Sequence, residues 1–147
     1  MFLSQYHHTI DTKGRLSIPG KYRDALAQRA SDVLIVTRDP EQCLAILPLD
    51  EYRRRAAKVQ AIPDTARVSK DYRRFVHGDA VDCSLDRQGR ILIPPGLRQY
   101  AGLDRDVMLV GLNDYFEAWS LARWRAKSEQ LTRDVDQIMG AISGYGV

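Results

Sequence analysis

Apolar residues alternate with polar ones in some stretches of this chain and recur every three or four positions in others. These two rhythms divide it into strands and helices. Tyr6 to Ile10 reads as a strand; after a short polar loop, Arg15 begins a return strand in which Leu16 and Ile18 share one face and Pro19 ends the run. In Gly20 to Arg29 the residues Tyr22, Ala25, Leu26 and Arg29 fall at helical spacing. Val33 to Thr37 is a branched apolar run suited to a buried strand, Asp39-Pro40 breaks it, and Cys43 to Leu47 supplies the returning strand. A helix from Asp50 carries Tyr52, Ala56 and Val59 on one stripe, with Arg53, Arg54, Arg55 and Lys58 outside it, as on a solvated face. Ile62-Pro63-Asp64 ends that helix, and Asp64 or Thr65 is placed to cap another whose stripe is Val68, Tyr72, Phe75 and Val76.

The rhythm then begins again. Ala80 to Leu85 matches the first strand, and Pro94 to Ala101 matches the first short helix, with Gly102 as a left-handed terminator. Val107 to Val110 answers Val33 to Val36 at a shift of 74, and Phe116 to Trp119 answers Leu44 to Leu47 at a shift of 72. The closing segment is longer than its counterpart. Leu121, Trp124, Ser128, Leu131, Val135, Ile138 and Ile142 follow alternating three- and four-residue steps, a seam interrupted only by Ser128. Leu49, Tyr52, Ala56 and Val59 step in the same way, so the two long helices are expected side by side, with the excess free for a partner chain. The tail Gly144 to Val147 is expected to be mobile.

A short stretch within this repeat is nearly literal. Asp11-Thr12-Lys13-Gly14-Arg15-Leu16-Ser17-Ile18-Pro19 returns 75 positions later as Asp86-Arg87-Gln88-Gly89-Arg90-Ile91-Leu92-Ile93-Pro94, and Arg23 and Arg98 extend the match. A unit of roughly 70 residues buries little surface alone, so the halves are expected to share one core. The expected division is 1–62 as the first half, 63–78 as a linking helix and 79–147 as the second half with its long closing helix.

The repeated stretch has readable physics. An Asp opening a turn bonds its own downstream backbone, and a Gly three residues later accepts the left-handed conformation. That pairing suits a three-residue hairpin loop closed by a glycine bulge. Arg15 and Arg90 then stand at the two loop tips, where Asp11 and Asp86 are able to pair with them. One such loop is an ordinary solvated hairpin with a local ion pair. Two, with Lys13 and Arg87 as further cations, make a surface suited to phosphate and bases.

Charge and cysteines bound the remaining classes. The net charge of +3 is too mild to imply a nucleic-acid partner by itself. Placement says more, because residues 1–30 hold five Lys or Arg against two acids, gathered around the first loop. Cys43 and Cys83 are the only cysteines and sit in unlike contexts, which gives no disulfide framework and fits a reducing cytoplasm. No 18 apolar residues run consecutively and the opening residues lack a signal pattern, so no membrane partner is expected. His7, His8, His77 and the cysteines show no ligand or catalytic spacing, and consecutive His7 and His8 face opposite sides of a strand. No enzyme, metal, cofactor or small-molecule substrate is expected.

Two copies of Asp-x-x-Gly-Arg, each set in strand, loop, strand, proline and short helix and each followed by a hairpin and a longer helix, resemble the MraZ family of bacterial transcriptional regulators. The likeness spans nearly the whole chain. It implies an α+β, β-rich fold: a swapped-hairpin AbrB-like double half-domain forming one pseudo-twofold β-barrel with flanking helices. It also implies a ring-shaped homo-oligomer, a cytoplasmic, nucleoid-associated location, and binding to repeated short boxes in the promoter of the division and cell-wall gene cluster. By position the signature falls on Asp11 and Arg15, and on Asp86 and Arg90.

The reading of the residues agrees with sequence-specific binding to double-stranded DNA. Arg15 and then Arg90 are the expected base contacts; Lys13, Arg87, Lys21 and Arg23 are expected at phosphates; Asp11, Gly14, Asp86 and Gly89 shape the loops. Two alternatives stay open. One is an AbrB-fold antitoxin-like DNA binder, although such chains normally carry one half and a disordered tail. The other is a ring-shaped protein-interaction scaffold without salt-sensitive DNA binding.

Overall fold

Branched apolar runs and amphipathic stripes assemble here around one strand exchange. The computed structural model describes residues 1–147, with eight strands and six helices in the order β1 Gln5–Thr9, β2 Arg15–Ser17, α1 Gly20–Ala27, β3 Leu34–Asp39, β4 Cys43–Pro48, α2 Leu49–Gln60, α3 Arg67–Val76, β5 Val81–Cys83, β6 Arg90–Leu92, α4 Pro95–Ala101, β7 Asp106–Gly111, β8 Phe116–Ser120, α5 Leu121–Arg133 and α6 Val135–Ser143. The hairpins β3–β4 and β7–β8 lie at the centre of a six-stranded antiparallel sheet, ordered β1-β7-β8-β4-β3-β5. Each half lends its first strand to the other half's hairpin, β1 to β7 and β5 to β3. The return strands β2 and β6 pair only with each other, in a separate two-stranded ribbon.

This arrangement corrects two expectations. The sheet ends at β1 and β5 without closing, so there is an open sheet and a ribbon rather than a barrel. The loop after β1 does turn tightly, but beyond the bridge Ile10↔Leu16 its strands part to find partners in the other half. The physical reason is burial: Leu16, Ile18, Ile91 and Ile93 are nearly inaccessible only when the ribbon lies over the inner sheet face.

One cluster of 20 buried residues draws on both halves, including Phe2, Leu16, Tyr22, Leu34, Ile46, Ile91, Leu109 and Phe116. Each such large side chain contributes about 1.5 to 3 kcal/mol on leaving water. Phe2 and Tyr22 meet edge to face at 5.5 Å, and the Tyr22 hydroxyl donates to the Ser4 carbonyl at 2.6 Å. A smaller cluster on the opposite face gathers Cys43, Val110, Trp119 and Trp124.

The helices hold further corrections. The long helices do not lie side by side: α2 packs on β3 and β4, and α5 on β7 and β8, because each seam meets its own hairpin first. The closing helix breaks at Asp134, and beyond Trp124 its seam is largely uncovered, with Leu131, Val135, Ile138 and Ile142 exposed. Neither Asp64 nor Thr65 caps α3, whose N-cap is Ala66; Asp64 instead pairs with Arg73. Val68 points outward, while Tyr72, though partly exposed, meets the His77 ring edge to face and lines a pocket with Tyr52, Phe75 and Val76. Gly102 does end α4 in the left-handed region, at φ 65°. No helix is long and apolar enough to cross a membrane.

Candidate nucleic-acid interface

Each loop is built by one aspartate. In the first, Asp11 Oδ1 accepts the Lys13 and Arg15 backbone N–H groups at 3.0 and 2.9 Å, while Oδ2 accepts Arg15 Nε–H at 2.6 Å. In the second, Asp86 Oδ1 accepts from Gln88 and Arg90 at 2.9 Å each, and Oδ2 accepts Arg90 Nε–H at 3.0 Å. Gly14 and Gly89 donate to the carbonyls of Asp11 and Asp86 at 3.0 Å and occupy positive φ, at 89° and 72°. An Asp to take three donors and a Gly to permit the bend are therefore the chemical content of the repeated signature.

The same bonds set the electrostatics. Backbone donation from Arg15 and Arg90 respectively, joined by their guanidinium groups, holds both aspartates below the ordinary carboxylate range. With Nε engaged, each arginine keeps its terminal amidine fork outward and unclaimed, the part able to meet guanine O6 and N7.

Ribbon register decides how the two arginines stand. Arg15 pairs with Leu92, Leu16 with Ile91 and Ser17 with Arg90. Alternation sends Leu16 and Ile91 into the core and leaves Arg15, Ser17, Arg90 and Leu92 on the outer face. Arg15 and Arg90 are diagonal neighbours there, roughly 7 to 8 Å apart at their bases. Lys13 and Arg87 are exposed on the loop tips, with no carboxylate partner.

The other candidates separate. Arg23 on α1 lies against the second loop rather than its own: a Cβ built on Gly89 would come within 2.8 Å of its Cδ. Lys21 faces away, lining a groove with Met1, Leu3, Tyr6 and Tyr22. Two residues escaped the sequence reading. Leu92 is 58% exposed on the outer ribbon face, and the available signal was its match to polar Ser17 in the repeat, between the inward Ile91 and Ile93. Arg98 lies over the first loop, 2.9 Å from a Cβ built on Gly14, and its match to Arg23 in the repeat was the available signal.

The remaining titratable groups serve elsewhere. His7 Nε2 lies 2.9 Å from Asp106 Oδ1, His8 Nδ1 lies 2.8 Å from the Ser17 carbonyl, and His77 meets the Tyr52 hydroxyl. Asp39, Cys43 and Glu117 bring their ligand atoms within 4.8 Å of one another. Burial pushes the Cys43 thiol and the Glu117 carboxyl up, and Trp119 Nε1–H donates to Glu117 at 3.0 Å.

Comparison with known proteins agrees with this duplicated construction. The sequence model of the MraZ protein family matches residues 1–75 and again 76–138. A transcriptional regulator MraZ of Desulfitobacterium hafniense DCB-2 is 44% identical over 130 residues, covering 88% of each chain. That of Herpetosiphon aurantiacus is 37% identical over 147 residues, 100% of each, and that of Shewanella denitrificans is 43% identical over 130 residues, 88% of this chain and 86% of its own. With both halves matched and relatives of this identity aligned over most or all of its length, the chain belongs to the MraZ family.

Proposed function

We propose that this chain is a sequence-specific, duplex-DNA-binding transcriptional regulator. The observation that supports it most directly is the outer face of the β2–β6 ribbon, where two arginines stand, each fixed through Nε by an aspartate and each presenting a free fork. A major groove about 12 Å wide admits a two-stranded ribbon, and each good arginine fork on guanine is worth about 1 to 3 kcal/mol of discrimination. Arg15 is the first base-reading residue and Arg90 the second. Lys13, Arg87 and Arg23 meet phosphates, with Lys21 the most remote of the set; these contacts strengthen binding at every sequence and weaken with salt. Asp11 and Asp86 position the arginines and attract no polyanion themselves.

The relatives' designation as transcriptional regulators supports the regulatory role. Family membership points to the promoter of the division and cell-wall gene cluster, read as repeated short boxes from a nucleoid-associated position. One chain offers one small ribbon, so several chains engaging several boxes would raise affinity steeply. The uncovered face of Leu131, Val135, Ile138 and Ile142 is suited to self-association into a ring.

Selection of bound sequences from random duplexes tests the reading as a whole. The expected result is enrichment of a short motif recurring in direct repeats, with tighter binding to several boxes than to one. A pool that returns unenriched would overturn base-specific binding, and salt-insensitive retention would favour a protein scaffold instead.

A further inference from the structure

Gly14 and Gly89 are both buried, and in each case a side chain from the opposite half helps to cover them. Arg98 of α4 lies over Gly14, its Nε 2.9 Å and its Cζ 3.0 Å from a built Cβ; Arg23 of α1 lies over Gly89, with Nε and Cζ at 2.9 and 3.1 Å. Both are anchored alike: Arg98 Nε–H donates to the Ile93 carbonyl at 3.0 Å and Arg23 Nε–H to the Ile18 carbonyl at 3.2 Å. Those carbonyls belong to residues whose own N–H groups bond the opposite loop, Ile93 to Gly14 at 2.7 Å and Ile18 to Gly89 at 2.9 Å. Neither arginine has a carboxylate within ion-pairing distance, so the terminal amidine of each is fixed beside a loop with its charge unneutralised.

Here the guanidinium is held by its inner nitrogen against the backbone, as Arg15 and Arg90 are held by carboxylates, but with the full positive charge retained. We propose that Arg98 and Arg23 form two pseudo-twofold-related phosphate sites, each attached to the loop of the other half, so that Arg98 serves the first loop and Arg23 the second. The inference rests on the duplex-DNA reading. It adds Arg98 to the interface and reassigns Arg23 from its own loop to the opposite one. DNA phosphates flanking the ribbon are the ligand, and the oxygens bind at the terminal nitrogens.

Fluorescence anisotropy with wild type, Arg98→Ala, Arg23→Ala and the double variant, on a selected duplex and on a random one over a salt series, decides it. Each single change should weaken both duplexes by the same factor, on the order of tenfold at low salt, and lower the slope of log affinity against log salt by about one per bound chain. The preference of selected over random sequence should be unchanged. A wild-type slope in Arg98→Ala would overturn the phosphate assignment, as would lost preference at an unchanged slope, which marks a residue that only shapes the loop. Failure of the wild type itself to bind either duplex would instead sink the broader DNA reading. Arg98→Gln, which keeps an amide donor for the Ile93 carbonyl and drops the charge, should show the same loss of slope even if the alanine variant folds poorly.

Discussion

The two loops have the same skeleton and different surroundings. In both, one aspartate takes two backbone donors and an arginine Nε–H, and a buried glycine makes the bend. Around that frame they diverge: the first carries Lys13 where the second has Gln88, and the second carries Arg87 where the first has Thr12. The glycines differ too. A Cβ on Gly14 would sit 2.6 Å from the Ile93 backbone oxygen, whereas the three nearest atoms to one on Gly89 belong to the flexible Arg23 side chain. The turn is thus fixed by two residue types, while the tip and the fit to the other half are free to drift.

Substitution of the glycines should expose this contrast most. Gly14→Ala is expected to destabilise by about 3 kcal/mol or more, since left-handed strain adds to a backbone collision that cannot relax cheaply. Gly89→Ala should cost less, about 1 to 2 kcal/mol, because the atoms it meets belong to a side chain that can yield by giving up the Arg23 Nε–H bond to the Ile18 carbonyl, whereas a backbone oxygen cannot. Urea midpoints of the two variants measure the gap, and equal losses would show that the loops are enclosed alike.

Loss of a fork comes next in size. Arg15→Ala should remove about 1 to 3 kcal/mol of base discrimination with little change in urea midpoint, and Arg90→Ala should do the same at a different base position. Competition binding against single-base operator variants would locate each contact. If both substitutions relax the same position, the assignment of separate base contacts to Arg15 and Arg90 is wrong.

The halves also differ where their long helices begin. Glu51, nearly buried at the start of α2, accepts from Arg54 and Arg55, while the corresponding place in α5 is held by Arg123, donating to the Gln42 and Tyr100 carbonyls. The hydrogen bonds from Arg54, joined by those from Arg55, pull the Glu51 carboxyl down to about 2. A depressed carboxylate stabilises the fold above its unfolded value, and that contribution is lost as pH falls through the folded one. Glu51→Gln should therefore cost about 1 to 2 kcal/mol at neutral pH, a figure kept low by the half-exposed Arg54, and should flatten the acid limb of the stability curve.

The smallest effect is expected at the loop aspartates. Asp11 and Asp86 are both held below the ordinary carboxylate value of 3.8, so the loop bonds persist through neutral and mildly acid pH and weaken only as pH falls below that value. Carboxyl titration by NMR should find both depressed. An ordinary value at either would show that its loop is not closed by the aspartate in solution.

Most of the element order was legible because apolar periodicity and turn chemistry are local. The repeat announced the shared core, and the Asp and Gly of each loop gave the turn and the seat of its arginine. Strand partners were legible only through the family resemblance, which implied swapped hairpins, and not in the residues themselves. Leu16 and Ile91 read equally well as hairpin strands within their own halves, and only three-dimensional burial pairs them with each other. The same limit hid Arg98, whose neighbour Gly14 lies in the opposite half. Periodicity also overstated the closing seam, since apolar spacing shows that a helix can be covered and not that anything covers it.

The exchange of first strands has a consequence for how the molecule comes apart. Because β1 is laced into the later hairpin and β5 into the earlier one, a single cut in the exposed connection from Ala61 to Thr65 would yield two fragments that stay clasped under native conditions. Neither piece retains a complete sheet once released. The polypeptide should therefore melt as one unit, with no half surviving the other.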